Sequence, residues 1–373
     1  MKFILIPDSF KGTLSSTQIC EICHEKIAKH FPGAEVVSIP VADGGEGSVD
    51  AFLAAVGGKR EHTTVKNPYF EDMQSYYGLI DGGQTAVIEM ASCAGLPLVE
   101  DRKNPLLTTT YGVGQQILTA AEKGVKKIIV GLGGSSTNDG GCGAAAAVGI
   151  KFYDQSGKEF IPTGGTLIDI AGIDFSGKSA LLNDIEIITM CDIDNPMYGP
   201  TGASFVFGPQ KGADADMVKE LDKGIEHLSH ILTQETGNDI SQVPGTGAAG
   251  AMGAGMIAFF GSRLQMGIET VLDTVKFDEL IRGADYIFTG EGKLDSQSLR
   301  GKVVIGIAQR AKRQQKPVIA IVGGADDEEI QSAYEMGVTA FFPINRLPQD
   351  FSVSRRHSAE NLGYTVDNIL RLL

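Results

Sequence analysis

Residues 285–322 read DYIFTGEGKLDSQSLRGKVVIGIAQRAKRQQKPVIAIV. An apolar run at Asp285–Thr289 ends in glycines and acids, a helical stretch follows over 302–313, and a second apolar run closes the segment at Pro317–Val322. Strand, helix and strand in that order make a parallel β-α-β unit, because continuous apolar runs of this length suit strands covered on both faces. The same texture opens the chain. Lys2–Pro7 is an apolar strand, a helix starts near Ser15 with Ser15-x-x-Gln18 as a capping box, Glu35–Val41 is a second strand and Glu46–Val56 a second helix. Beyond residue 322 a helix is expected at 326–335, a strand at Thr339–Pro343 and a helix from about 358. Between Arg60 and Met90 the pattern changes to three strand-like runs, EHTTVKN, MQSYYGLI and TAVIEMA, with Asp81-Gly82-Gly83 as a hairpin turn. A helix at 111–123, strands at Lys127–Gly131 and Ile185–Cys191, and helices at 214–234 and 248–262 follow. The expected fold is therefore α/β with two domains. Residues 1–60 and 275–373 form a Rossmann-like domain around a parallel sheet, and 61–274 form an inserted α/β domain with a mixed sheet. A linear split near residue 150 is the alternative. No linker or repeat marks either boundary, and a cleft between two domains is a common place for a ligand.

The chain has 373 residues, a formal net charge of -14 and 48 glycines. So acidic a protein is a poor partner for nucleic acid or an anionic membrane, although a local cluster of Lys, Arg and backbone N–H groups still binds an anionic substrate. The five cysteines are scattered, which fits a reducing compartment better than a disulfide framework. Cys20-x-x-Cys23 lies at helical spacing with Ile19 and Ile27 and reads as core. No signal-peptide pattern opens the sequence and no apolar stretch nears 20 residues, so a cytoplasmic protein without a membrane partner is expected.

The candidate chemistry lies in glycine loops at strand ends. Residues 130–143, VGLGGSSTNDGGCG, follow an apolar strand and precede a helix-forming run. The Walker A pattern G-x-x-x-x-G-K-[ST] is expected nowhere in the chain, and Gly131-x-Gly133 is followed by Ser136 where a dinucleotide fingerprint needs glycine. A true fingerprint match at 245–250, GTGAAG, lacks the strand before it. In 130–143, Gly133, Gly134, Ser135, Ser136, Thr137 and Asn138 would offer N–H and hydroxyl donors to an anion. Asp139 would either cap the helix or orient a substrate hydroxyl. Four further loops carry acids beside glycine or proline: IPDSFKG (6–12), PVADGGEG (40–47), TMCDIDNP (189–196) and IFTGEGKLD (287–295). Carboxylates so placed suit Mg²⁺ and hydroxyl activation. Lys11 and Lys293 could neutralise a transferring phosphoryl group. Lys211, in GPQKG, could reach a phosphate but reads first as a surface lysine. None of the six histidines lies in a glycine loop, which argues against a histidine triad or a zinc site.

Taken in order, PDSFKG-x-LS, ADGGEG, TTTYGVG (108–114), GLGGSSTNDGG, CDIDNP, FGPQKGA, GAAGAMGAG and TGEGKLDSQS resemble the type I glycerate kinases over the whole chain. That family's GGSATNDGG appears here with Ser136 in place of Ala. The resemblance implies transfer of the ATP γ-phosphoryl group to D-glycerate with Mg²⁺, with 2-phosphoglycerate favoured over 3-phosphoglycerate, in a two-domain α/β enzyme with its active site in the cleft. It leaves the roles to chemistry. Asp192 is the first choice for base or Mg²⁺ ligand, with Asp194 beside it. Lys11 faces the phosphoryl group, and Asp139 lies near the reacting hydroxyl. Asp8, Ser9, residues 133–138 and Lys293 hold phosphate or substrate. Asp194, Asp43, Glu46 and Glu291 are the expected metal set. A homodimer is one assembly open to the chain, and the sequence does not give the oligomeric state. A dinucleotide-dependent oxidoreductase and a non-catalytic small-molecule binding protein are the rival readings.

Overall fold

The computed structural model describes residues 1–42, 44–296 and 298–373, and of Asp327 and Glu328 the backbone alone. The chain divides into two compact units. Unit 1 comprises Met1–Ala42, Ala54–Val56 and Met266–Leu373; unit 2 comprises Asp43–Leu53 and Gly57–Gln265. Numbered along the chain, β1 (Lys2–Leu5) and β2 (Glu35–Ser38) open it, β3 to β11 fall within residues 59–265, and β12 (Tyr286–Glu291), β13 (Val318–Val322) and β14 (Ala340–Pro343) close it.

Unit 1 is built on a parallel sheet in the order β14-β13-β12-β1-β2. Phe3 of β1 pairs with Tyr286 on one side and Val36 on the other. The apolar runs at both ends of the sequence thus meet in the sheet centre, where Val318–Val322 is buried along its length. The helix Ser16–His30 begins with the expected box: Ser15 Oγ accepts from the Gln18 N–H and the Gln18 side chain accepts from the Ser15 N–H. Its Ile19, Cys20, Cys23 and Ile27 join Phe3, Phe288 and Ile321 in one core, together with Leu362 and Val366 of the C-terminal helix Ser358–Leu370. Burial pushes the Cys20 thiol up to about 12 and raises that of Cys23 as well, so both remain neutral packing groups.

The strand order matters for function. From β1 the chain crosses to β2 on one side, whereas from β12 it proceeds to β13 and β14 on the other. The order therefore reverses between β1 and β12, and the loops at their carboxyl ends must part there.

Unit 2 holds a mixed sheet in the order β11-β10-β6-β5-β4-β3. The strands β3 (Lys59–Lys66), β4 (Asp72–Ile80) and β5 (Thr85–Glu89) are antiparallel, and β5, β6 (Lys127–Gly131), β10 (Glu186–Met190) and β11 (Arg263–Gln265) are parallel. The turn between β4 and β5 is a 3-10 turn with Asp81 and Gly82 at positive φ. A small antiparallel sheet, β8-β7-β9, of β7 (Lys151–Tyr153), β8 (Glu159–Phe160) and β9 (Gly172–Asp174), was not expected from the sequence, nor was β11.

The line between the units falls at 42/43 and 265/266 rather than at 60 and 274. Most of the helix Ser48–Val56 belongs to unit 2, where its Val49 N–H donates to the buried Glu89 carboxylate of β5. The helix Gly267–Thr274 belongs to unit 1, where Glu269 and Asp273 bond Arg310. Among the described residues no helix is long and apolar enough to cross a membrane.

Candidate active site

In unit 1, the loop after β1 is tied to β12 by backbone bonds from Ile6 N to Phe288 O and Asp8 N to Gly290 O, each 2.8 Å. The segment after β12 is tied to the end of β13 by Leu294 N to Gly324 O, and Asn345 beyond β14 donates its side-chain amide to Gly323 O at 2.7 Å. The strand ends need glycine here, since a Cβ on Gly290 would lie 2.0 Å from Ile321 O. These loops enclose a cavity of about 580 Å³. Asp8, Ser9, Lys11, Glu291, Lys293 and Lys302 give it a polar wall, and Phe10, Ile344 and Phe351 an apolar one. Two sequence motifs, PDSFKG and TGEGKLDSQS, thus converge on the point where the strand order reverses.

Glu291 is the unusual member. Its side chain is 7% exposed, and its Oε1 has no hydrogen-bond partner among the described residues. Burial pushes its carboxyl up to about 7; a hydrogen bond from Ser298 opposes this, nearby Asp8 and Asp295 add to it, and Lys302 offsets it slightly. The other acids of the loops are already engaged: Asp8 Oδ1 accepts from the Ser9 N–H at 2.6 Å and Asp295 Oδ1 from the Ser298 N–H at 3.2 Å. Lys293 is exposed and pairs with Asp326 at 2.9 Å, which raises its pKa.

In unit 2, the stretch 130–143 differs from the expected anion cradle. Ser136, Thr137, Asn138 and Asp139 are buried and point their polar groups inward. Ser136 Oγ donates to Ala94 O and Asn138 Nδ2 to Ser204 Oγ. Asp139 is fully buried. Its Oδ2 accepts from Thr110 N (2.7 Å), Thr110 Oγ1 (2.8 Å) and Gly143 N (3.2 Å), and its Oδ1 from Gly141 N (3.2 Å). Burial raises its carboxyl pKa and these bonds pull it back. Asp139 therefore bonds the first turn of the short helix Cys142–Ala147 itself, while the buried Thr137 Oγ1 has no hydrogen-bond partner among the described residues. The glycines serve loop packing: Gly133 N donates to Gly44 O at 3.0 Å, and a Cβ on Gly133 would lie 2.5 Å from Gly45 Cα. Gly134 is exposed beside them, and Ser135 is buried.

Lys211 corrects the surface reading. It is 1% exposed and donates to Thr137 O at 2.5 Å, and burial pulls its ammonium down to about 7 while Asp139 pulls it back up. Asp192 is half-buried and Asp194 exposed just beyond the carboxyl end of β10. Glu46 is exposed, and Asp43 lies outside the described residues. Among the described residues no three His, Cys, Asp or Glu side chains come together in a group that could hold a metal ion.

Two nucleotide signatures are false leads. At 245–250 the segment enters a helix through three residues of positive φ, Ala249–Ala251, and a Cβ on Gly250 would meet Thr137 O at 2.2 Å, so its glycine serves packing. The Walker A pattern, expected nowhere in the chain, does occur as a literal Gly-x4-Gly-Lys-Ser at 172–179, and it runs from β9 through a turn into a three-residue 3-10 helix. The α-helix whose N-terminus a phosphate loop requires is missing there.

A parallel sheet with a glycine-bounded, acidic and lysine-bearing crevice at its point of strand reversal defines a ligand-binding α/β enzyme. A family model described as the glycerate kinase family matches residues 3–373. The chain is 45% identical over 370 residues to a glycerate kinase of Bacillus cereus, covering 99% of this chain and 97% of that one. It is 43% identical over 345 residues to the glycerate 2-kinase of Escherichia coli, covering 92% and 90%. A crystal structure of a glycerate kinase 2 from Salmonella typhimurium LT2 superposes with a TM-score of 0.87 at 37% identity, covering 100% of this chain and 98% of that one. The chain belongs to the glycerate kinase family, and is a phosphotransferase.

Proposed function

We propose that the protein transfers the γ-phosphoryl group of ATP to D-glycerate, giving ADP and 2-phosphoglycerate. The observation that carries this reading is the crevice at the β1/β12 reversal. A cavity of about 580 Å³ is larger than glycerate requires and is of the size that takes a cofactor or nucleotide. Its apolar side, Phe10, Ile344 and Phe351, suits a base, and Lys11, Lys293 and Lys302 suit phosphate oxygens. The 2-position is favoured by the name of the Escherichia coli relative, a glycerate 2-kinase.

Among the described residues no group of three His, Cys, Asp or Glu side chains could hold a metal ion. Mg²⁺ usually needs only one or two carboxylates in addition to substrate phosphates, so it enters as part of the nucleotide substrate. The protein's own contribution is binding, orientation and charge. Lysines hold the phosphoryl group in line, the strand-end loops fix the acceptor, and the apolar wall keeps water away.

Purified protein incubated with ATP, Mg²⁺ and D-glycerate should release ADP, and NMR of the product should show phosphate on C2. Silence with D-glycerate together with turnover of another hydroxy acid would refute this reading, and phosphate on C3 would refute the assigned position.

A further inference from the structure

We propose that Glu291 is the proton acceptor for the C2 hydroxyl of D-glycerate, because it places a buried carboxylate oxygen without a partner on the wall of the crevice. The inference rests on the kinase reading above and names a catalytic residue within it.

The geometry leaves few alternatives. A buried carboxylate oxygen without a partner is costly and is normally filled. It is 7% exposed, at the carboxyl end of β12, where the strand order reverses. An ionised carboxylate only accepts hydrogen bonds. Phosphate oxygens and the glycerate carboxylate are acceptors too, so neither can fill Oε1. Among the groups of the two substrates, a hydroxyl or the adenine amino group can, and of these only the acceptor hydroxyl has a proton to lose in the reaction. The other acids of the crevice loops already hold backbone N–H groups or a lysine: Asp8 that of Ser9, Asp295 that of Ser298, and Asp326 the ammonium of Lys293.

In the step, the glycerate O2–H bond breaks and its proton passes to Oε1. A bond forms between O2 and Pγ, while the bond from Pγ to the β,γ-bridging oxygen breaks and its electron pair leaves with ADP. Protonated Glu291 then returns the proton to solvent after product release. The groups facing Glu291 set its proton affinity: Asp8 and Asp295 raise it, and Ser298 and Lys302 lower it. Its titration near 7 leaves it substantially ionised, and still basic, at neutral pH.

The test is steady-state kinetics of Glu291→Gln and Glu291→Asp beside the wild type. Glu291→Gln should lose about 10²–10⁴-fold in kcat, with KM for ATP and for D-glycerate unchanged within about threefold. The wild-type rate should fall about tenfold per pH unit below about pH 7, a limb that disappears in Glu291→Gln and moves in Glu291→Asp. Four results would each overturn the proposal: full kcat in Glu291→Gln; restoration of its rate by raised Mg²⁺, as for a metal ligand; a defect confined to KM for ATP that 2′-deoxy- or 3′-deoxy-ATP reproduces on the wild type, as for a ribose contact; or a flat wild-type pH profile, which decides the matter even if the variants fail to fold. A wild type inactive on D-glycerate but active on another hydroxy acid would refute the substrate and not this residue.

Discussion

Replacing Glu291 by Gln should make the folded protein more stable at pH 8 and leave its stability unchanged at about pH 4.5. The carboxyl lies at about 7 in the folded chain against an ordinary 4.5. A group whose folded pKa is raised favours folding while it is protonated and opposes folding once it must ionise. Below about pH 4.5 the group is neutral in both states and contributes no difference. Between 4.5 and 7 the unfolded chain releases its proton and the folded chain keeps it, so stability falls as pH rises. Above 7 the full penalty is present. At 1.36 kcal/mol per unit this amounts to about 3 kcal/mol, and burial to 7% exposure means that solvent does not screen it away. Gln keeps the shape without the charge. For a cooperative unit of about 150 residues, such as unit 1, 3 kcal/mol corresponds to roughly 5–10 °C in Tm. Calorimetry of wild type and variant without ligands, from about pH 4.5 to about pH 8.5, measures it directly. The difference in Tm should be near zero at the acid end, open through pH 5–7 and level off. A difference that is independent of pH, or a variant less stable than wild type at pH 8, would refute the reasoning.

Three further substitutions follow. Asp139→Ala leaves four buried donors without an acceptor and should lower unfolding stability by about 3–5 kcal/mol in urea; a variant that loses activity at an unchanged midpoint would restore a catalytic role to Asp139. Gly133→Ala forces a Cβ to 2.5 Å from Gly45 Cα and should destabilise unit 2 by about 2 kcal/mol or more, seen as a lower urea midpoint; an unchanged midpoint would show that the two loops yield. Asp192 is the alternative proton acceptor. If Glu291 holds that role, Asp192→Asn should keep kcat within about tenfold, and a larger loss alongside an active Glu291→Gln would reverse the assignment.

The sheet of unit 1 was legible because its parallel strands are covered on both faces and read as unbroken apolar runs, so the opening and closing segments declared themselves as one texture. The small strands Lys151–Tyr153 and Arg263–Gln265 were not legible, since three residues carry no period and these are half polar. The acid loops were legible as a set, but burial was not. Asp139 in a glycine loop reads equally as cap or ligand, and only its four donors decide. Lys211 reads as surface because lysine is rarely buried, yet it lies 1% exposed against Thr137. Glu291 was visible as an acid. That one of its oxygens lacks a partner depends on loops from four strands and could not be read from TGEG alone.

The pairing of Phe3 with Tyr286 has a consequence for synthesis. The first strand of the protein occupies the middle of a sheet whose next partner is translated some 280 residues later, about 15–60 s at ordinary elongation rates. Until then KFIL, with Ile19, Cys23 and Ile27 behind it, has only the β2 neighbour and no finished core. The nascent chain thus carries an adhesive amino-terminal segment throughout most of its elongation, while residues 43–265 can fold in the interval. Truncation near residue 280 would leave that segment permanently without its β12 partner.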